Sequence, residues 1–426
     1  MPDATGDRPC VVVVDAYAAV RSLVLAFRQR GFDCVRVQST IGVPPVYRSA
    51  LPVASDFVAD IQHEGDVAAT VAAVRAFAPV AVVPGGEVGV EFADLLADSL
   101  GLPGNGTALS AARRDKYLMV QTLHAAGVHA GRQLRVTDAQ ELEMWHRRLG
   151  GRVVIKPLRS SGSQGVHFCD SPEESVAAYR GLIGELDVFA QPNRAVVAQE
   201  YLSGTEYMVN TVSRDGRHQV CDVWRTDRIS ANGIVDLCDA LVLVPSPDQV
   251  VPALEKYAFE VLDAMGIQHG PAHLEVRLTP EGPCLVEIGA RIAGGGIPAT
   301  AGLGIGESQL EWTVDAYTDP ERFRQRVGTG YALQRHCAIA GMVSPVEGTL
   351  REYQGLDEIR SLESFHALAL LVEPGGRLSV TVNDLTFPVL VTLVHPLRSV
   401  VERDLNTIRH LDGRAFYALV QAGRGT

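Results

Sequence analysis

From Gly270 to Pro298 the chain reads GPAHLEVRLTPEGPCLVEIGARIAGGGIP: apolar and polar residues alternate, stop at Thr-Pro-Glu-Gly-Pro, and alternate again. Period-two patterning on both sides of a turn predicts an antiparallel hairpin, which anchors everything around it. With the loop set at Pro280 to Gly282, Thr279 faces Pro283, and counting back places Glu275 directly opposite Glu287. Residues so opposed share one face of the sheet, with Cβ atoms roughly 5 Å apart. Like charges at that spacing destabilise a sheet unless a cation sits between them. Carboxylate oxygens suit a hard ion, and Mg²⁺ fits best because it needs few protein ligands and takes the rest from water and phosphate. Mn²⁺ is the alternative ion. A loop one residue longer would turn Glu287 to the other face.

Arg291 follows Glu287 by four residues and offers a fixed positive fork to a phosphoryl oxygen or a carboxylate. Gly294, Gly295 and Gly296 let backbone N–H groups approach an anion, so with Arg291 they are candidate substrate positions. His273 precedes Glu275 by two and so shares its strand face. Taken alone, the stretch is equally readable as a solvated hairpin with a glycine turn.

The rest of the chain bounds the partners. Its 426 residues allow two or three domains, and 46% apolar with 21% charged residues is ordinary for a soluble globular protein. A net charge of −12 with no long Lys/Arg run argues against nucleic acid and for small-molecule or protein partners. Cys10, Cys34, Cys169, Cys221, Cys238, Cys284 and Cys337 lack CxxC spacing and read as reduced core thiols of a cytoplasmic protein. The sequence shows neither a signal-peptide pattern at the N-terminus nor an apolar run of membrane-spanning length. No Ser or Cys sits in a nucleophile elbow.

In chain order, CVVVVDAY is a continuous β-branched run of the kind buried in a parallel sheet, followed by a helix to Arg30 and the strand DCVRVQS. A helix over Asp66 to Phe77 leads to PVAVVPGGE, so a doubly wound β-α-β domain is expected to about Gly104. Glu87 follows its Gly-Gly turn, a common ligand position in such sheets and equally a place for a capping carboxylate. Asn105 or Thr107 is expected to cap a helix running to Gly127, with Lys116 in its middle; spacing alone does not select that lysine.

Capping boxes at Thr137/Gln140 and Ser171/Glu174 flank RVVIKPLRSSGSQGVHF. There a strand delivers Lys156, and Ser160, Ser161, Gly162, Ser163 and Gly165 make a flexible loop able to fold over a triphosphate, or simply a surface hairpin. In AVVAQEYLSGTEYMVN a strand breaks at Ser203-Gly204, exposing backbone groups at Tyr201 and Leu202 that suit an adenine edge. Glu200 and Glu206 flank it as possible acceptors for the amine and ribose hydroxyls. Trp224 to Asp239 reads as a strand followed by a polar loop with Arg225, Arg228 and Asp239, a candidate substrate-side loop or surface decoration. An amphipathic helix at PALEKYAFEVLDAMG, a helix over about Ser308 to Tyr317, and a strand-rich end after Gly330 complete the chain. The end lacks clustered polar candidates and reads as a small α+β domain that closes the site or forms a dimer contact.

The order of these signals, helix lysine, strand lysine with Ser/Gly loop, Q-E-Y-L hinge, then paired Glu and Arg, resembles the ATP-grasp superfamily over about Leu109 to Thr313. The resemblance implies a multidomain α/β and α+β chain. An N-terminal doubly wound domain spans 1–105, an ATP-grasp domain 106–330 (mobile small lobe 136–202, large lobe 203–330), and a small C-terminal α+β domain 331–426. It implies ATP and Mg²⁺: Lys116 and Lys156 at the phosphates under the loop from Ser160 to Gly165, Glu200, Tyr201 and Leu202 at adenine, and Glu206 at ribose. Glu275 and Glu287 hold the metal, and Arg291 lies on the phosphate side. Most members carry Asn two residues after the second metal Glu, where this chain has Gly289. The E-x-x-A-R form with a following glycine run resembles the amino-acid ligase branch. That branch joins an acid to an amine through an acyl phosphate, releasing ADP and phosphate. The sequence singles out no base for the amine; His273 and Asp239 are its candidates. A carboxylase-type relative using bicarbonate, or a non-catalytic nucleotide-binding relative, is the alternative; no biotin-attachment segment is present, and both lysines and both carboxylates are retained.

Overall fold

The computed structural model describes residues 8–17, 20–48, 50–246 and 248–420. Strands β1 (Cys10–Val14), β2 (Asp33–Gln38), β3 (Ala59–Gln62) and β4 (Pro79–Pro84) form a parallel sheet in the order β3-β2-β1-β4. Helices α1 (Arg21–Gln29), α2 (Val67–Arg75) and α3 (Val90–Leu100) cover it. Because side chains alternate along β1, Val11 and Val13 pack with Leu23 and Phe27, while Val12 and Val14 pack with Val74 and Leu96 on the other face. That two-sided burial is why the run CVVVV carries no polar residue. The edge strand β3 was not expected; its Ala-Asp-Ile-Gln has only two apolar residues to signal it.

The helix expected from Thr107 begins instead at Lys116: α4 spans Lys116–Ala125, and Asp115 caps it by accepting from the N–H groups of Tyr117 and Leu118. The preceding residues are held by Arg113, which is almost fully buried. It pairs with Asp94 and donates to the carbonyls of Asn105, Gly106, Met265 and Gly266. Asn105 does not cap a helix; its Oδ1 accepts from the N–H groups of Gln268 and His269.

A second, antiparallel sheet runs β5-β8-β6-β7 and is built from β5 (Gln133–Val136), β6 (Val153–Pro157), β7 (His167–Cys169) and β8 (Val196–Glu200). Helices α5 (Ala139–Leu149) and α6 (Pro172–Leu182) pack against it through Leu142, Trp145 and Leu182. Asp138 and Ser171 cap them, so the first cap lies one residue beyond the expected Thr137.

The third sheet has eight strands. The large lobe supplies β9 (Thr205–Arg214), β10 (Arg217–Ala231) and β11 (Ile234–Leu243), then, after α7 (Val251–Ala264), β12 (Gly270–Thr279) and β13 (Gly282–Gly289). Beyond α8 (Ile297–Ile305), α9 (Gln309–Thr318) and α10 (Pro320–Arg326) come β14 (His336–Gly341), β15 (Gly348–Tyr353), α11 (Leu356–Arg360), β16 (Phe365–Leu370) and β17 (Arg377–Leu378). The chain closes with β18 (Val389–His395), α12 (Arg398–Leu411) and β19 (Tyr417–Leu419). The sheet order is β13-β12-β9-β10-β11-β14-β18-β16, so strands from the C-terminal segment extend the large-lobe sheet. The polar loop expected within Trp224 to Asp239 is in fact the β10–β11 hairpin. It reverses at Asn232-Gly233, where both residues take positive φ, +53° and +80°. That is the turn an Asn-Gly pair favours between twisted strands.

All seven cysteines are free, and all but Cys238 are buried. Among the described residues no helix is long and apolar enough to cross a membrane.

Candidate active site

The β12–β13 hairpin turns through Pro280 and Glu281, one residue tighter than expected, with Thr279 paired to Gly282 and Leu278 to Pro283. Continued evenly, that register would set Glu275 against Val286. A β-bulge makes Val286 the extra residue, and Glu275 stands opposite Glu287 after all. The tighter turn and the bulge cancel. The bulged residue has a further use, because its carbonyl accepts from Lys156 Nζ at 3.4 Å.

Lys156 ends β6, and Lys116 is the first residue of α4. Lys116 Nζ lies 2.9 Å from Glu287 Oε2 and 3.3 Å from the Ser160 carbonyl, joining helix, hairpin and loop. Enclosure in the cleft opposes charge on Glu287, yet Lys116 and Lys156 hold its pKa down to about 2. The same enclosure and the facing Glu287 push Glu275 up to about 8. Lys156 falls to about 8 through desolvation and the charge of Lys116, while Lys116 is desolvated too but is carried upward by Glu287. Two carboxylates that resist simultaneous ionisation, beside two lysines, make a place that a divalent cation and a polyphosphate would complete. Among the described residues no group of three or more His, Cys, Asp or Glu is arranged to hold a metal ion.

These side chains line a cavity of about 310 Å³ between the small lobe, the large sheet and the turn at 382–387. Ser160, Ser161, Gly162 and Ser163 line it, but Gly165 does not; its backbone packs on Pro157, where an added Cβ would come within 2.9 Å. Gly294 and Gly295 line it, whereas Gly296 turns away to cap α8. Arg291 donates from Nε to Glu87 Oε2 at 3.1 Å, tying the N-terminal domain's Gly-Gly turn to the site. An added Cβ at Gly289 would fall 3.1 Å from Glu87 Oε2 and 3.2 Å from Arg291 Cζ. The space an asparagine would need there is filled by this ion pair.

His273 shares the face with Glu275, Nε2 to Oε1 at 3.6 Å, and its Nδ1 meets Asn210 Oδ1 at 2.7 Å. Burial and the nearby Arg291 hold its pKa down to about 3. A ring this reluctant to take a proton is poorly suited to deprotonating an amine.

Four of the expected residues are already engaged by other side chains. Glu200 turns outward, accepting from the Arg132 N–H and Nε–H, each at 2.7 Å. Its neighbour Gln199, buried and on the opposite face of β8, lines the cavity as well. Glu206 is clamped by Arg228 and by Arg277, 2.9 Å away, so each of its oxygens already accepts from a charged donor. Arg228 lies in β10, held by Glu206 and the Asp236 carbonyl, and Asp239 pairs with Arg409 of α12; both reach the cavity wall from strands, not from a loop. Tyr201 and Leu202 line the cavity as expected, with Phe168 edge-on to Tyr201 at 6.0 Å. Sequence reasoning missed Gln199, which period-two alternation beside Glu200 signals, and Asp384, which nothing local signals. Asp384 Oδ2 accepts from Ser163 Oγ at 3.2 Å and lines the cavity from the C-terminal segment.

A family profile described as ATP-grasp domain matches residues 149–299. The chain is 30% identical to dapdiamide A synthase of Enterobacter agglomerans, an alignment covering 96% of this chain and 97% of that protein. It is 24% identical to the L-arginine-specific L-amino acid ligase of Bacillus subtilis over 66% of each chain. The fold is similar to a crystal structure of an L-amino acid ligase from Bacillus licheniformis, with a TM-score of 0.76, 17% identity, and coverage of 98% of this chain and 100% of that one.

Proposed function

The chain belongs to the ATP-grasp family and is an ATP-dependent, ADP-forming carbon–nitrogen ligase, and from that premise we propose that the cavity joins a small acid to an amine through an acyl phosphate. The observation that carries this reading is the opposed pair Glu275 and Glu287 with Lys116 and Lys156 bonded to the same hairpin.

Adenine fits the backbone at Glu200 to Leu202, beside Gln199 and Phe168, and the triphosphate runs under Ser160 to Ser163 toward the lysines. Mg²⁺ between Glu275 and Glu287 would neutralise phosphate charge and orient the γ-phosphoryl group. Phosphoryl transfer asks the protein for positioning and charge more than for covalent help. A carboxylate oxygen of the acid attacks Pγ, the bond from Pγ to its bridging oxygen breaks, and ADP leaves. The amine nitrogen then attacks the acyl carbon, the carbon–oxygen bond to phosphate breaks, and phosphate departs with loss of a proton from nitrogen. Arg291, fixed by Glu87, is placed to bind the phosphoryl oxygens through its remaining N–H groups.

A screen of L-amino-acid pairs for ADP release, with products identified by mass spectrometry, tests this. ADP and phosphate appearing only when acid and amine are both present is the expected result; AMP in their place rules out the acyl phosphate.

A further inference from the structure

Outside the catalytic cavity, one carboxylate of the N-terminal domain gathers residues from two other parts of the chain. Glu91 is the second residue of α3, where an acidic side chain suits the helix dipole by itself. Here both of its oxygens are also taken by arginines. Arg159 of the small lobe grips it as a fork, Nη1 donating to Oε2 at 3.1 Å and Nη2 to Oε1 at 2.8 Å. Arg114 Nη1 reaches the same Oε2 at 3.4 Å. These three side chains line a second cavity of about 400 Å³ between the N-terminal domain and the small lobe, away from the catalytic one.

Their places in the sequence give the cluster its meaning. Arg159 immediately precedes Ser160, where the seryl loop begins, and Arg114 stands two residues before Lys116. Loop and helix are already stitched together at that point: the Lys116 backbone N–H donates to the Leu158 carbonyl at 2.9 Å, and its Nζ donates to the Ser160 carbonyl at 3.3 Å. Glu91 ties this junction to the parallel-sheet domain. Arg114 carries the chain of charges inward, its Nε 3.8 Å from Glu87 Oε1, while Glu87 Oε2 holds Arg291. Phe189 of the small lobe is buried in an apolar cluster with Tyr17 and Val88, and Arg114 lies 5.6 Å from its ring centroid. Apolar contact of that kind holds the two bodies together without fixing a direction. The planar fork on Glu91 fixes both distance and orientation.

Resting on the nucleotide placement proposed above, we infer that Glu91 is a positioning residue for ATP: it never touches the nucleotide, and through Arg159 and Arg114 it sets where the loop from Ser160 to Gly165 and Lys116 stand when the triphosphate arrives. A Ser/Gly loop left loose at its start must be ordered at the expense of binding, and an anchored one need not be.

Titration calorimetry of the full-length protein with ATP and Mg²⁺ tests this, beside KM values for ATP, acid and amine with the pair that the ADP-release screen identifies. Glu91→Gln keeps the shape of the side chain and removes its charge. It is expected to weaken ATP binding about tenfold and leave the KM values of acid and amine unchanged. Arg159→Gln, which cuts the same tie from the other lobe, is expected to match it. The double variant is expected to lose no more than either single one, because each removes one shared interaction. Arg159→Lys keeps the charge without the fork and is expected to fall between. ATP affinity within about twofold of the parent in both single variants, or losses that add in the double variant, overturns the inference. A parallel rise in all three KM values marks general damage to the lobe and overturns it as well. ATP binding that follows the expected pattern in a protein that releases no ADP with any pair supports this inference and sinks the ligase reading alone; a parent protein that binds no ATP overturns both.

Discussion

Lys116 and Glu287 meet at 2.9 Å, joining the first turn of a helix to the inner face of the β12–β13 hairpin. The pair holds Glu287 ionised, and Glu287 in turn keeps a desolvated lysine charged. Glu287→Gln therefore removes the proposed metal ligand and the partner of Lys116 at once. Turnover is expected to fall by at least about 10²-fold while the fold persists, since the side chain faces the cavity and not the core. ADP release read alongside a circular-dichroism melt separates the two effects; an active variant sinks the metal assignment.

Gln199 and Glu200 are neighbours with opposite orientations, and substitutions tell them apart. Gln199→Leu, at the cavity wall, is expected to raise the ATP KM about tenfold by removing one hydrogen-bonding group from the nucleotide's surroundings. Glu200→Ala breaks only an exposed pair with Arg132 and is expected to change stability by under about 1 kcal/mol, with little effect on KM. The reverse ranking in ATP titrations contradicts the adenine placement.

Arg277 neutralises Glu206 and Asp236 in the wall beneath the hinge. Arg277→Met leaves two buried carboxylates short of a partner, and urea unfolding is expected to show a loss of about 3–5 kcal/mol. A loss below about 1 kcal/mol means that Arg228 alone neutralises the cluster.

Asp222 carries a pH signature away from the chemistry. Burial raises its pKa to about 7, against hydrogen bonds from Asn210 and Trp224 that pull the other way. The folded state keeps a proton that the unfolded chain releases above about pH 4, so unfolding free energy is expected to fall as pH rises from about 4 to 7 and then level off. Asp222→Asn removes that contribution. Denaturant titrations at pH 5 and pH 8 check it: the variant shows a smaller difference between the two than the parent.

Much of this site was legible because hairpins and loops are local. Alternation around TPEGP set the two carboxylates on one face, and the Ser/Gly loop after Lys156 was visible as a run of small residues. The turn length was misjudged by one, and the bulge at Val286 that corrects it has no local signature, since Lys156 meets that carbonyl from another sheet. The Asn232-Gly233 turn carried a strong hairpin signal, but the charged residues around it resemble a solvated loop until their partners in β9 and β12 are known. Lys116 and Asp384 lay beyond local reasoning for one reason: each matters through a residue far away in sequence, Glu287 for one and Ser163 for the other.

The floor of the cleft and the turn that roofs it belong to one continuous eight-stranded slab, because β14 pairs with β11 and the 382–387 turn feeds β18. Headroom between that floor and that roof is therefore set by one sheet, like the gap in a fixed caliper. Were the four-stranded small lobe to swing away from that slab, the Ser163–Asp384 bond would break and the seryl loop would leave that roof.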